Sequence, residues 1–265
     1  MSHPLSVKSK LFWYYQGQID CCWYLSYATV AKQDAYIRDM DKFGADTATL
    51  NICNEGIGHP FSGEFMKSSL HEGRVNSLFN FMRRLKNAGK LVVPVLFDCP
   101  RDNNGAYPFW RYTDRIGPFI EIASKAFAPM ADAMILGIET NRGPTITASR
   151  GLSVGEVNYT IRLMKKHAYR MDGGTRYNIP VGVHEQSSRY FEDADFFGYE
   201  TRNHPFQGWD VPVANMVNEV KELVVRQRGK PVWVLESNER EDAHAKAQNR
   251  AMAALPGVVG IGGPM

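Results

Sequence analysis

Eight short apolar runs recur along this chain, and amphipathic segments separate most of them. That alternation restricts the fold more than any other feature. The runs cover residues 10–16, 47–52, 91–97, 134–138, 179–183, 196–199, 231–235 and 258–261. Helix-period patterns fill 32–43, 75–88, 118–127, 153–171, 211–228 and 242–255, while a short connection, 187–194, joins the fifth run to the sixth. Runs that are apolar almost throughout predict parallel strands covered on both faces. Eight β–α units in ~250 residues predict an α/β fold of the (β/α)8 TIM-barrel type. We read residues 1–265 as a single domain, because no linker, repeat or low-complexity stretch interrupts them.

Local signals agree with this division. Gly44 and Gly89 follow helix patterns as stop signals, and Ser153 with Glu156 forms a capping-box pair. Pro94 inside the third run removes a ladder donor, so a bulge is expected there. A doubly wound open sheet is the competing arrangement, but no Gly-rich phosphate loop follows the first run. The chain ends at Met265, just after the eighth run, so the eighth helix is missing. Either the first and seventh helices leave a gap, which residues 1–9 could partly cover, or the chain is a piece of a longer one.

Composition narrows the function. A net charge of +3 over 265 residues gives no nucleic-acid footprint. No apolar run approaches the ~18 residues of a membrane span, so no membrane partner is expected. Met1-Ser-His-Pro lacks the basic and apolar regions of a signal peptide. The four cysteines, Cys21, Cys22, Cys53 and Cys99, show no CxxC spacing and read as reduced thiols.

The chemistry gathers where the runs end. Met134-Ile-Leu-Gly-Ile closes on Glu139, and Pro231-Val-Trp-Val-Leu closes on Glu236. A carboxylate beside such a run needs a reason, since burying an unpaired charge is costly. In a barrel the C-terminal strand ends form the active-site rim. Polar residues cluster there, among them Asn51, Asp98, Asn141, His184, Glu185, Glu200 and His204. By strand alternation Val232, Val234 and Glu236 share a face, as do Ile135, Gly137 and Glu139, so each glutamate can point into the barrel mouth. Strands four and seven lie across a small lumen, which makes the two glutamates a candidate carboxylate pair for glycosidic cleavage.

This layout resembles the clan of retaining glycoside hydrolases with a TIM-barrel fold, sometimes called the 4/7 superfamily. Gly137-Ile-Glu-Thr and Val234-Leu-Glu-Ser carry the resemblance. It implies Glu139 as acid/base and Glu236 as nucleophile, in a double displacement that needs no cofactor and no metal. The clan has Asn before the acid/base glutamate, where this chain has Ile138. Asn51 or Asn141 could supply that hydroxyl contact instead. The clan also often has an aromatic or His after strand six to bond the nucleophile, and Tyr199 and His204 are the residues here that could do so. His184, Glu200 and Asp98 are further candidates for sugar hydroxyls. Trp110 and Trp209 are candidates for stacking on a sugar ring, in loops rich in aromatic residues. The expected partner is a carbohydrate, and arginines 101, 111, 142, 150 and 202 hint at an anionic glycan.

Two other functions fit the same barrel. A metal-dependent sugar isomerase or epimerase would hold a cation through Asp98, Glu139, His184, Glu200 and Glu236, although no clustered metal spacing supports it. A non-catalytic carbohydrate-binding barrel would account for Ile138 and the missing helix.

Overall fold

The computed structural model describes residues 5, 9–12, 29–51, 72–97, 113–138, 152–201, 210–237, 240–263 and 265. In chain order the elements are β1 (Ser9–Phe12), α1 (Val30–Phe43), β2 (Thr47–Asn51), α2 (Glu72–Asn87), β3 (Leu91–Phe97), α3 (Thr113–Phe127), β4 (Met134–Ile138) and α4 (Val154–His167). They continue with β5 (Tyr169–Asp172), β6 (Thr175–Asn178), β7 (Val181–Glu185), β8 (Phe196–Glu200), α5 (Val213–Arg226), β9 (Val232–Glu236), α6 (Ala243–Ala253) and β10 (Val258–Ile261).

Eight strands close into a parallel barrel in the order β1, β2, β3, β4, β7, β8, β9, β10 and back to β1. The chain is therefore an α/β TIM barrel, with β4 its fourth strand and β9 its seventh. Six helices lie among the described residues. No helix joins β7 to β8, as the short connection implied, and none follows β10 among the described residues.

The helices start and stop for local reasons. Thr29 caps α1 by accepting from the Lys32 N–H, and Gly44 ends it at φ 64°, a left-handed conformation that costs glycine little. Ser153 and Glu156 form the reciprocal capping box of α4. Helix α5 buries Met216, Val220 and Leu223, one stripe at i, i+4 and i+7 against the barrel.

Two local expectations are corrected. Helix α4 ends at His167 instead of running to 171. Residues 169–178 form an antiparallel hairpin, β5–β6, outside the barrel, turned by Gly173 and Gly174 at φ 53° and 84°. Two consecutive positive φ angles are what a tight hairpin turn of this hand requires. Nor is there a bulge in the β2–β3 ladder at Pro94, whose register runs unbroken from Thr47↔Leu91 to Asn51↔Val95. Along a strand successive N–H groups face opposite neighbours, and Val92 N–H faces the β4 side, where the Asp132 carboxylate accepts it at 2.8 Å. Pro94 has the same parity, and pairing with β4 begins only at Val95. The missing donor falls where no ladder bond is registered.

At the N-terminal end of the barrel an aspartate bracket recurs. Asp46, Asp132 and Asp195 each stand just before a strand. Each donates its backbone N–H to the carbonyl of Lys10, Val92 or Val181, and its carboxylate accepts the N–H of that same residue. These brackets fix the β1–β2, β3–β4 and β7–β8 pairs in register.

Two apolar clusters form the core. The larger lies between barrel and helices. The smaller fills the lumen with Leu11, Val93, Val95, Ala133, Ile135, Phe196, Trp233 and Leu235. Phe196 and Trp233 pack at 4.4 Å between ring centroids. The space they occupy demands glycine opposite: a Cβ on Gly182 would lie 2.5 Å from the Phe196 ring. This plug closes the lumen and leaves the strand ends above it as the floor of the mouth.

Candidate functional site at the C-terminal end of the barrel

Strand parity decides which polar residues meet at the mouth. On β8, Phe196 belongs to the lumen cluster, whereas Phe197 and Tyr199 belong to the outer one. Glu200 therefore lies on the lumen side, and it is 2% exposed. The Gln186 Nε2–H donates to Glu200 Oε1 at 2.7 Å, tying the end of β8 to the residue after β7.

On β7, Val181 and Val183 pack outward, which puts His184 on the lumen face, fully buried. Burial pushes His184 down to about 3, so its imidazole is neutral across the working pH range. Both His184 and Glu185 belong to β7 itself and not to the loop after it. Glu185 faces the helices. It is gripped by the Arg189 guanidinium and accepts from Ser187 Oγ at 2.5 Å, while Arg189 also donates to the Leu152 carbonyl at 2.5 Å. This pair anchors the β7–β8 connection to the start of α4.

Strand β9 departs from simple alternation. Trp233 and Leu235 belong to the lumen cluster, and Val232 and Val234 to the outer one. Val232 and Val234 thus face the helices and do not share the mouth, contrary to the expectation from spacing. The register with β8 shifts at this point: Tyr199 pairs with Val234, but Glu200 pairs with Glu236. Leu235 is the extra residue at this bulge. Position 236 comes to stand opposite Glu200.

Tyr199 does not turn toward the lumen. It is 3% exposed, and its hydroxyl donates to Glu219 on α5. It walls a cleft of about 400 Å³ between the β7–β8 ends and α5, shared with Gln186, Asn215, Asn218 and Glu219. Amides and carboxylates of this kind suit hydroxyl-rich ligands. The phenol bonds α5 on the helix side of the barrel.

Asn51 ends β2 in register with Val95. Asp98, Trp110, Glu139, Asn141, His204 and Trp209 lie outside the described residues. Among the described residues, no group of three or more His, Cys, Asp or Glu side chains is arranged to hold a metal ion. Sequence reasoning passed over Gln186 as a site residue. The signal was available: it stands two places after His184, with the same strand parity.

No protein-family model matches the chain, and no curated protein matches it. Solved structures share its fold. An endo-1,4-β-mannanase from Rhizomucor miehei superposes with a TM-score of 0.62 at 12% identity, covering 97% of this chain and 85% of that one. A GH5_18 protein from Bifidobacterium longum subsp. infantis gives 0.69 at 11% identity, covering 97% and 69%. The exo-β-1,4-mannosidase Op5Man5 from Opitutaceae bacterium strain TAV5 gives 0.64 at 16% identity, and this chain, covered over 95% of its own length, spans 50% of that protein. At such identities the likeness is one of fold.

Proposed function

We propose that this protein is a glycoside hydrolase that cleaves β-linked glycans with retention of configuration. Glu236 is the nucleophile and Glu139 the acid/base. The observation that carries the reading is positional: Glu139 directly follows the fourth strand of a closed eight-stranded barrel, and Glu236 ends the seventh. The fourth and seventh strands stand three apart in the ring of eight, and barrel chemistry is done at the C-terminal strand ends. The similar solved structures add support, since they include an endo-1,4-β-mannanase and an exo-β-1,4-mannosidase.

In this mechanism Glu236 attacks the anomeric carbon, and the C–O bond to the leaving group breaks as Glu139 delivers its proton to that oxygen. Glu139 then takes a proton from water, whose oxygen attacks the same carbon and releases Glu236. A retaining pair requires carboxyls ~5–5.5 Å apart. His184, neutral and buried on the lumen side of the fifth barrel strand, adds no charge there. The polar cleft beside α5 could take a hydroxyl-rich extension of the same ligand.

The test is hydrolysis of β-1,4-mannan, 4-nitrophenyl β-mannoside and 4-nitrophenyl β-glucoside by the parent, Glu139→Gln and Glu236→Gln proteins. The first sugar product is followed by proton NMR. A β-anomer formed first, lost in both variants, is the expected result. Variants that cleave like the parent would exclude the assignment.

A further inference from the structure

We propose that the cleft beside α5 is a saccharide-binding site in its own right, on the flank of the barrel, which holds a neutral oligosaccharide along the helix. That this ligand is the glycan cleaved at the mouth rests on the glycoside-hydrolase reading; the site itself does not.

The cleft exists where a helix is missing. β7 passes to β8 through residues 186–195 with no helix among them, so no helix packs between α4 and α5 on that side of the barrel. The connection forms one wall, and it is held firmly. Lys230 Nζ donates to the carbonyls of Phe191, Glu192 and Ala194 at 2.8, 2.6 and 2.5 Å. The Gln227 Nε2–H donates to the Arg189 carbonyl at 3.0 Å, and Phe191 stacks on Phe197 of β8 with ring centroids 6.2 Å apart. A wall fixed in advance lowers the ordering cost of binding.

The other wall is a polar stripe on α5. Asn215, Asn218, Glu222 and Arg226 recur at helical spacing, and all are exposed. From Asn215 to Arg226 the helix rises about 16 Å, at ~1.5 Å per residue, a length for linked sugar rings more than for a single ring. Tyr199 and Leu223, both nearly buried, close the floor of this space of about 400 Å³.

The chemistry selects neutral hydroxyl groups. An amide both donates and accepts, as a sugar hydroxyl does, and the side chains of Asn215 and Asn218 make no hydrogen bond among the described residues. Arg226 donates to Ser188 Oγ at 2.6 Å and stands 3.9 Å from Glu222. Glu219 accepts from the Tyr199 hydroxyl. Two carboxylates outnumber the one guanidinium in the lining, so an anionic glycan is disfavoured there.

Strand β8 separates the cleft from the lumen. Tyr199 packs on its outer side and Glu200 on its lumen side. Gln186 lines the cleft and donates to Glu200, so the two spaces approach each other only at the rim. A glycan held along α5 is kept beside the mouth without occupying it.

The test is an NMR titration of the intact Glu236→Gln protein, chosen so that hydrolysis does not consume the ligand, with β-1,4-mannohexaose and cellohexaose as probes. The side-chain amide signals of Asn215 and Asn218 are assigned from Asn215→Ala and Asn218→Ala. At least one hexaose shifts both signals saturably. Removing both amides together weakens that binding about 10-fold, read from the Leu223 backbone amide, the worth of two neutral hydrogen bonds. Alanine is the better helix former at these exposed positions, so a weaker complex with an unchanged thermal melt is not an unfolded protein. The proposal is overturned if neither hexaose moves the two signals, if spermidine moves them and the hexaoses do not, or if the double variant binds as tightly as its parent. Hexagalacturonate binding as tightly as the neutral hexaoses overturns it too. If the parent protein cleaves none of the three hydrolysis probes, the glycosidase reading fails instead, and the two amide signals still decide the cleft.

Discussion

Glu200 and Glu236 are opposite one another in the β8–β9 ladder because Leu235 is bulged out of it. Val232 and Val234, before it on the same strand, pack toward the helices. The bulge therefore sets the register of the β8–β9 pair at its C-terminal end.

Loss of either proposed catalytic carboxylate has a distinct signature. Glu139→Gln lowers kcat by about 10²–10⁴-fold, the usual worth of a general acid/base. The loss is smaller for an activated aryl glycoside, whose leaving group needs little protonation. Glu236→Gln abolishes turnover for all leaving groups alike. Steady-state rates on 4-nitrophenyl β-mannoside against β-1,4-mannan check both, and an equal loss on the two substrates for Glu139→Gln contradicts its role as acid.

His184 couples stability to acid pH. Its folded value of about 3 lies below the ordinary 6.5, so between those two values the unfolded chain binds a proton that the folded protein does not. Stability is full above 6.5 and falls as pH drops through that window, by about 1.4 kcal/mol per pH unit from this residue. Urea unfolding at pH 7 and pH 5 should show a smaller difference in His184→Gln than in the parent. An equal difference in both proteins refutes the assignment.

The aspartate bracket before β4 is a stability element. Asp132 accepts from Val92 N–H at 2.8 Å and from Lys86 Nζ at 2.7 Å. Asp132→Ala strands a buried N–H and costs about 2 kcal/mol. Asp132→Asn keeps the acceptor for Val92 and costs less. Denaturant midpoints of the two variants give the ranking, and equal midpoints would mean that the bracket contributes nothing.

Gly198 lies directly below Glu200 on the lumen face. A Cβ there would meet Leu235 and lie 2.7 Å from the Val183 carbonyl oxygen, which cannot move without disturbing β7. Gly198→Ala is expected to destabilise the protein by about 1–3 kcal/mol, as overpacking does. It should also lower activity at temperatures where the variant is still folded, because the β8–β9 register above it shifts. Thermal melts together with activity at 20 °C check this, and a variant unchanged in both refutes it.

Much of this molecule was legible in the chain. The apolar runs and amphipathic patterns identified eight strands and a barrel, because burial on both faces requires that composition whatever the neighbours are. Ser153 with Glu156 identified the start of α4 for the same local reason. The Asp-Gly-Gly-Thr turn of the β5–β6 hairpin was equally local and was overridden by the helix pattern before it.

What the sequence by itself determined is the order of the elements and the presence of glutamates just after the fourth strand and at the end of the seventh. Only the tertiary structure decided which side chains share the mouth. Alternation along one strand predicted that Val232 and Val234 share a face with Glu236, and the family resemblance offered Tyr199 as a partner for the nucleophile. Packing put Val232 and Val234 against the helices, the register with β8 slips at Leu235, and the Tyr199 hydroxyl bonds Glu219 on α5. Register and packing are properties of two elements together, and a period read along one of them carries no record of where its neighbour slips by a residue.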